Sequence, residues 1–128
     1  MKALIDTHVF LWWNTDDPQL SGPAREFMRE ETNDLYVSAA TAWEIAIKVG
    51  CGRLALPLAP EQYVPERMSL HRMQPLPVLL AHALRVSGLP PIHQDPFDRL
   101  LVAQCQVEGL PVLTADRLIA QYDVDVIW

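Results

Sequence analysis

Short apolar runs alternate with longer helix-forming segments along this chain of 128 residues. Each run is only three to five residues long, and most end at a polar residue or at glycine or proline. Strands separated by helices run parallel, because the helical crossover returns the chain to the same edge of the sheet. The pattern therefore predicts an α/β fold with one parallel sheet flanked by helices.

The predicted strands lie at residues 2–5, 35–37, 73–76, 111–114 and 124–128. Helices are predicted over residues 22–30, 38–49, 78–86 and 95–108, with shorter ones within residues 60–70 and after Asp116. The best-marked helix begins at Asp95-Pro96 and ends at Gly109, because aspartate caps helices, proline suits the first helical position and glycine favours the exit. Between Asp6 and Ser21 we predict a polar connection.

The composition fits one globular domain over residues 1–128, since half of the residues are hydrophobic. No apolar run is long enough to cross a membrane and the N-terminus does not resemble a signal peptide, so a cytoplasmic protein is expected. Cys51 and Cys105 are predicted to be buried thiols. The net charge of −6 argues against a nucleic-acid partner, although bound cations would reverse the field locally.

Four acids are predicted to meet at one edge of the sheet. Asp6 and Asp116 follow strands, Glu44 lies in the helix after the second strand, and Asp98 lies at the start of a later helix. Sites in parallel sheets gather at the carboxyl ends of the strands. Crowded carboxylates repel one another, and hard divalent cations such as Mg²⁺ or Mn²⁺ relieve this. The pattern therefore indicates a metal site.

Every acid of this set except Asp6 also has a purely structural explanation. The residues Thr41 to Glu44 match a capping box, so Glu44 could close a helix end. Asp95 through Asp98 could do the same around Pro96, and Asp116 could cap the helix that follows it. No capping role is evident for Asp6, which ends an apolar strand.

Four blocks of sequence carry a family resemblance: Leu4–His8 (LIDTH), Val37–Ile45 (VSAATAWEI), His93–Gln104 (HQDPFDRLLVAQ) and Leu113–Asp116 (LTAD). In this order and spacing they resemble the PIN-domain ribonucleases, and within them the VapC-type toxins of bacterial toxin–antitoxin pairs. The resemblance implies a PIN-like three-layer fold with a parallel sheet of four to five short strands. It also implies an endoribonuclease that hydrolyses RNA phosphodiester bonds with water activated by Mg²⁺ or Mn²⁺.

The same resemblance assigns the metal-binding and catalytic roles to Asp6, Glu44, Asp98 and Asp116. Between the two neighbouring acids of the third block, we assign the metal to Asp98 and the helix cap to Asp95, although Asp95 could reach the same site. The resemblance further implies a homodimer and a cognate antitoxin whose tail lies in a groove near the acids.

Several neighbouring residues are candidates for contacts to water, phosphate or RNA. The hydroxyls of Thr7, Ser38 and Thr114 could serve this role or satisfy local backbone. Lys48 either pairs with Glu44 or lies near RNA, and Arg99 contacts either phosphate or Asp95; Arg117 is a similar candidate.

Histidine and tryptophan add two further hypotheses. His8 and His93 lie beside the acids, but the histidines show no zinc-ligand spacing, so imidazole is not expected to bind the metal. Trp12 and Trp13 are adjacent, so one could pack into the core while the other lines a partner interface; two ordinary tryptophans at the edge of the core are the alternative.

Two other functions compete with the nuclease. A non-catalytic PIN-like interaction module is disfavoured because all four acids are present, whereas a metal-dependent DNase differs only in its substrate. A phosphatase of the haloacid-dehalogenase type is excluded, because Asp6 lacks a second acid two residues later. No glycine-rich phosphate-binding motif occurs.

Overall fold

Five parallel strands form the centre of the computed structural model, which describes residues 1–128. The strand order across the sheet is β3-β2-β1-β4-β5, so the first strand is central. The predicted parallel sheet is therefore confirmed. The strands are β1 (Lys2–Ile5), β2 (Asp34–Ser38), β3 (Gln74–Leu76), β4 (Val112–Leu113) and β5 (Val126–Ile127).

Six helices cover the two faces of this sheet. They are α1 (Thr7–Thr15), α2 (Gly22–Arg29), α3 (Ala39–Gly50), α4 (Pro60–Leu70), α5 (Leu80–Arg85) and α6 (Pro96–Glu108). Short 3₁₀ turns follow at Val86–Gly88 and Ile119–Gln121. No helix is long and apolar enough to cross a lipid bilayer.

Two separate hydrophobic clusters give the fold its three layers. Along β1, Ala3 and Ile5 belong to one cluster and Leu4 to the other, because successive strand side chains point to opposite faces. The first cluster is filled from α1, α2, α3 and α4, and the second mainly from α6. Burial on both faces explains why the strand sequences are continuously apolar.

The helix that we predicted most sharply has the expected ends. The side chain of Asp95 accepts hydrogen bonds from the backbone N–H groups of Phe97 and Asp98, and Pro96 is the first helical residue. Gly109 ends α6 with a φ of 66°, a left-handed conformation that glycine adopts without strain. Ser21 caps α2 in the same manner as Asp95, through the N–H of Ala24 at 3.2 Å.

The connection predicted after Asp6 is instead helix α1, so that prediction is wrong. Its sequence, THVFLWWNT, is rich in β-branched and aromatic residues, which are weak helix formers. Val9 and Phe10 are fully buried under the sheet, and this packing outweighs the poor propensity. Asp6 caps α1 by accepting the N–H of Val9 at 2.8 Å, so it does have a capping role.

The two cysteines differ from each other. Cys105 is buried as predicted, and burial raises the pKa of its thiol to about 12. Cys51 is exposed just after α3, so the prediction of a second buried thiol is wrong. Neither forms a disulfide.

Candidate metal centre

The topology brings the predicted acids to one edge of the sheet. Asp6 directly follows β1, and Asp116 lies three residues after its neighbour β4, with which β1 pairs in parallel register. Glu44 projects from α3, which follows β2 on the other side of β1. Asp98 lies in the first turn of α6.

Asp98, Asp116 and His93 form the tightest group at this edge. One potential ligand atom from each lies within 4.8 Å of the other two. His93 Nε2 is 3.0 Å from Asp98 Oδ2 and 2.9 Å from Asp116 Oδ2. The sequence did not predict this position of His93. The spacing of histidines along the chain does not show which rings reach acids on other elements of the fold.

Asp6 lies close enough to interact electrostatically with both acids of this group, and it is almost fully buried. One carboxylate oxygen accepts the N–H of Val9, and the other accepts a short hydrogen bond from the hydroxyl of Thr114. Burial raises the pKa of Asp6, and the nearby charge of Asp116 raises it further, against the lowering effect of the two hydrogen bonds. Thr114 also accepts the N–H of Asp116, so one hydroxyl links both acids.

Asp98 also holds a negative charge at a cost. Burial raises the pKa of Asp98 to about 7, and the charges of Asp95, Glu44 and Asp6 add to the increase. Asp116 behaves oppositely. Its partial burial raises its pKa, but hydrogen bonds from His93 and from the N–H of Leu118 outweigh this and lower the value.

Glu44 is buried in the middle of α3 and does not close a helix end. The helix begins at Ala39, and its cap is Ser38, whose hydroxyl accepts the N–H of Ala40 at 3.0 Å. The capping box predicted from Thr41 is therefore wrong. Glu44 Oε1 accepts the hydroxyl of Thr7 at 2.7 Å, and Oε2 pairs with Lys48 at 2.8 Å.

The cations beside the acids are already engaged. Lys48 forms the predicted pair with Glu44 across one helical turn. Arg99 was predicted to contact either phosphate or Asp95, and in the structure it does not pair with Asp95. Its guanidinium donates to the carbonyl oxygens of Val86 and Pro90 and to the hydroxyl of Tyr122, which ties the segment before α6 to that helix.

The tryptophans predicted for a partner surface lie at the edge of the core. Trp12 packs 6.0 Å from the ring of Trp128, and Trp13 packs 5.6 Å from the ring of His71, and both are half-buried. The exposed one is Trp43, with 61% of its surface accessible, in edge contact with Phe97. Its exposure was not predicted, because an apolar residue in an amphipathic helix is normally expected to lie in the core.

The donors at this edge fit a hard divalent cation. Asp98 and Asp116 offer carboxylate oxygens within ligand distance of each other, and Asp6 and Glu44 add negative charge that disfavours ionisation of Asp98. A divalent cation would compensate that charge, and Mg²⁺ or Mn²⁺ prefers such oxygen donors.

A match to a known family accounts for this arrangement. The profile described as PIN domain matches residues 3–125 of the chain. This chain belongs to the PIN-domain family. The match covers β2, β3 and β4, all of β1 except Lys2, and all four predicted acids, and it ends directly before β5.

Two curated relatives of this PIN domain are ribonucleases by name, and both come from Mycobacterium tuberculosis. Ribonuclease VapC22 is 32% identical over 118 residues, covering 90% of this chain and 87% of the relative. Ribonuclease VapC16 is 39% identical over 79 residues, and the aligned part spans 57% of this chain and 56% of that relative.

Solved structures share the fold at low sequence identity. VapBC2 from Rickettsia felis, bound to a DNA fragment from its promoter, has a TM-score of 0.72 at 11% identity, covering 98% of this chain and 97% of that one. A toxin–antitoxin complex from Klebsiella pneumoniae has a TM-score of 0.64 at 17% identity, covering 98% and 96%. These likenesses confirm the PIN-like fold.

The metal-free PIN domain is expected to lose stability as the pH rises from 5 to 8. Because the pKa of Asp98 is raised from its ordinary 3.8 to about 7, the folded state holds this proton more tightly than the unfolded chain. The stabilisation is complete below about pH 4 and is lost as the pH rises through 7. Asp98→Asn has no such proton to lose. In urea unfolding with a chelator, its free energy of unfolding relative to that of the wild type should therefore rise by about 2 kcal/mol between pH 5 and pH 8.

The control for this pH experiment is Asp34→Asn, which removes an exposed acid at the far end of β2. Its unfolding free energy should follow the wild-type pH profile. If Asp98→Asn also follows that profile, the account of Asp98 as a buried, charge-crowded acid is wrong.

Proposed function

We propose that this PIN domain is an endoribonuclease that depends on Mg²⁺ or Mn²⁺ and hydrolyses RNA phosphodiester bonds. The observation that carries the proposal is the group of Asp98, Asp116 and His93 at the carboxyl edge of the sheet, linked through Thr114 to buried Asp6. The names of the two curated relatives support RNA as the substrate.

In this proposal each acid has a distinct role. Asp98 and Asp116 hold the cation, and Asp6 and Glu44 complete the negative site from the strand side and the helix side. A divalent cation bound there supplies Lewis-acid chemistry, lowering the pKa of water and stabilising charge at a phosphate.

The surrounding side chains fix the acids rather than react. Thr114 and the N–H of Val9 orient the carboxylate of Asp6, while Thr7 and Lys48 orient that of Glu44. Asp95 remains the helix cap, and its two backbone hydrogen bonds set the first turn of α6, from which Asp98 projects. Ligand geometry of this kind depends on such supporting contacts.

The proposal includes the toxin role, with a cytoplasmic antitoxin as partner. An apolar groove of about 560 Å³ lies between α3 and α4 and begins beside Ser38 at the end of β2. Ala42, Val64, Met68 and Met73 line it, so it suits an apolar segment of an antitoxin. The VapBC2 structure from Rickettsia felis and the toxin–antitoxin complex from Klebsiella pneumoniae support a partner of this kind.

The proposal also includes a homodimer. Leu80 and Leu84 lie one turn apart on α5 and are 77% and 64% exposed. An exposed apolar stripe of this kind is typical of an association surface. A dimer mass in light scattering would support this part of the proposal, and a monomer mass at micromolar concentration would contradict it.

The test of the activity compares cleavage of structured RNA and of single-stranded DNA with Mg²⁺, Mn²⁺ or a chelator. We expect endonucleolytic RNA cleavage with either ion, none in chelator and none in Asp6→Asn. Cleavage that persists in chelator would contradict the metal dependence, and cleavage of DNA alone would favour the DNase alternative. Growth arrest on expression, relieved by Asp6→Asn, would support the toxin role.

A further inference from the structure

His93 is held at both of its ring nitrogens. The backbone N–H of Asp95 points at Nδ1 from 3.1 Å, and Nε2 lies between the carboxylates of Asp98 and Asp116. The backbone N–H of His93 donates to the hydroxyl of Tyr122 at 2.7 Å, which anchors the chain behind the ring. The imidazole is largely buried, so these contacts define its orientation.

The contacts determine which nitrogen carries the proton. Because a backbone N–H can only donate, Nδ1 must accept with its lone pair. The proton of the neutral ring is then on Nε2, where it can be shared between two carboxylate oxygens. For a ring with one proton, the contacts therefore fix that proton on Nε2.

This tautomer is unsuited to binding a cation through Nε2. A nitrogen ligand must present a lone pair, which would require the ring proton to move to Nδ1. That proton would then face the N–H of Asp95. The carboxylates have no such conflict, since each retains lone pairs beyond the one that accepts from His93.

The two acids that His93 joins come from separate elements. Asp98 lies in the first turn of α6, and Asp116 lies in the loop after β4. Their like charges would drive them apart without a donor or a cation between them. The imidazole N–H supplies such a donor at 3.0 and 2.9 Å.

We propose that His93 is a positioning residue: its Nε2–H holds the carboxylates of Asp98 and Asp116 together for a divalent cation, and the ring is not itself a ligand. The inference rests on the proposed function, because it takes these two acids as cation ligands. It adds an imidazole, oriented by the backbone N–H of Asp95 and the hydroxyl of Tyr122, to the parts that the site requires.

The first test measures cation affinity in the full chain for His93→Ala, His93→Gln and the exposed control His8→Gln. Mn²⁺ binding is followed by electron paramagnetic resonance of the free ion, and Mg²⁺ binding by competition with Mn²⁺. His93→Ala should weaken both ions by the same factor, about 10- to 100-fold, as expected for a partner of metal ligands. His93→Gln should restore most of the affinity, because its amide N–H can donate from a similar position.

The comparison of the two ions separates positioning from ligation. If His93 were a ligand, the Mn²⁺ affinity of His93→Ala would fall more than its Mg²⁺ affinity, because imidazole favours transition metals. That result would overturn the inference. So would His93→Ala binding both ions as tightly as the wild type, or glutamine failing to restore affinity in a variant whose unfolding curve is unchanged.

The second test reads the tautomer directly. Long-range ¹H–¹⁵N spectra of the metal-free chain, taken at a pH at which the ring carries one proton, should show that proton on Nε2 of His93, and an Nδ1–H form would overturn the inference. Neither test depends on turnover. If the wild type binds cations as predicted but cleaves no RNA, the proposed ribonuclease fails and the role of His93 stands, whereas absence of any cation binding overturns both.

Discussion

Asp98→Asn is expected to lower Mg²⁺-dependent RNA cleavage by more than about 100-fold, since even the partners of metal ligands cost about 10- to 100-fold when removed. Asparagine keeps the shape of Asp98 but removes the charge that a cation would compensate. The measurement is the initial cleavage rate of a structured RNA at saturating Mg²⁺. The fold should survive, because the buried charge of Asp98 opposes folding above pH 4.

Asp95→Asn is the matched control for this prediction, three residues earlier in the same helix start. Asparagine caps helices about as well as aspartate, and the carbonyl of its side chain can still accept the N–H groups of Phe97 and Asp98. Cleavage should therefore stay within a few-fold of the wild type. If Asp95→Asn abolished cleavage and Asp98→Asn did not, the assignment of cap and metal ligand would have to be exchanged.

Arg99→Ala is expected to destabilise the protein by roughly 2 kcal/mol, because it leaves partly buried carbonyl groups without a donor. Arg99 donates to the carbonyls of Val86 and Pro90 and to the Tyr122 hydroxyl. Arg99→Lys should recover little, since a single ammonium cannot replace the planar fork of donors. Urea unfolding measures both variants.

Arg85→Ala provides the comparison for Arg99. Arg85 makes one exposed hydrogen bond, to Gln106 at 2.9 Å, so its loss should change stability by less than about 0.5 kcal/mol. Because Arg99 and His93 share the Tyr122 hydroxyl, Arg99→Ala should also lower cation affinity. Equal unfolding free energies for the two alanine variants would contradict the role of Arg99 as the tie across this segment.

Patterns that depend on neighbouring residues predicted the fold well. The α6 helix follows from Asp95, Pro96 and Gly109, each of which acts through local backbone geometry, and the structure places all three as expected. The sheet follows from the alternation of short apolar runs with helices, which leaves few topologies. These features are encoded within a few residues of where they appear.

Helix α1 shows where local reasoning fails. Its stability comes from Val9 and Phe10 packing under the sheet, a contact between distant parts of the chain that outweighs local propensity. The same error concealed the capping role of Asp6. That residue therefore has two functions, closing the first turn of α1 and presenting its charge at the sheet edge.

The meeting of the four acids at one edge was predicted, but the contacts among them were not. Strand ends located Asp6 and Asp116, the helices after the strands placed Glu44 and Asp98 at the same edge, and the family resemblance assigned all four to a metal. The bridging position of His93 depends on a turn held by Tyr122 and on two elements meeting in space. Likewise, Arg99 was expected to meet Asp95 across one helical turn, whereas several carbonyls of the preceding segment offer it more hydrogen bonds.

The acidic composition is consistent with an RNA-cleaving site only if cations are part of it. Lys48 is neutralised by Glu44, and Arg99 is engaged by backbone carbonyls, so neither is free to contact phosphate in this structure. Bound metal, rather than basic side chains, would therefore attract the substrate to this site.

Anomalous diffraction from crystals grown with Mn²⁺ would show whether the carboxylates at this edge hold a divalent cation. An anomalous peak is expected in contact with carboxylate oxygens of both Asp98 and Asp116, and it should be absent from Asp98→Asn crystals. Strong Mn²⁺ peaks elsewhere in the molecule, with none between these two acids, would rule out the proposed metal site.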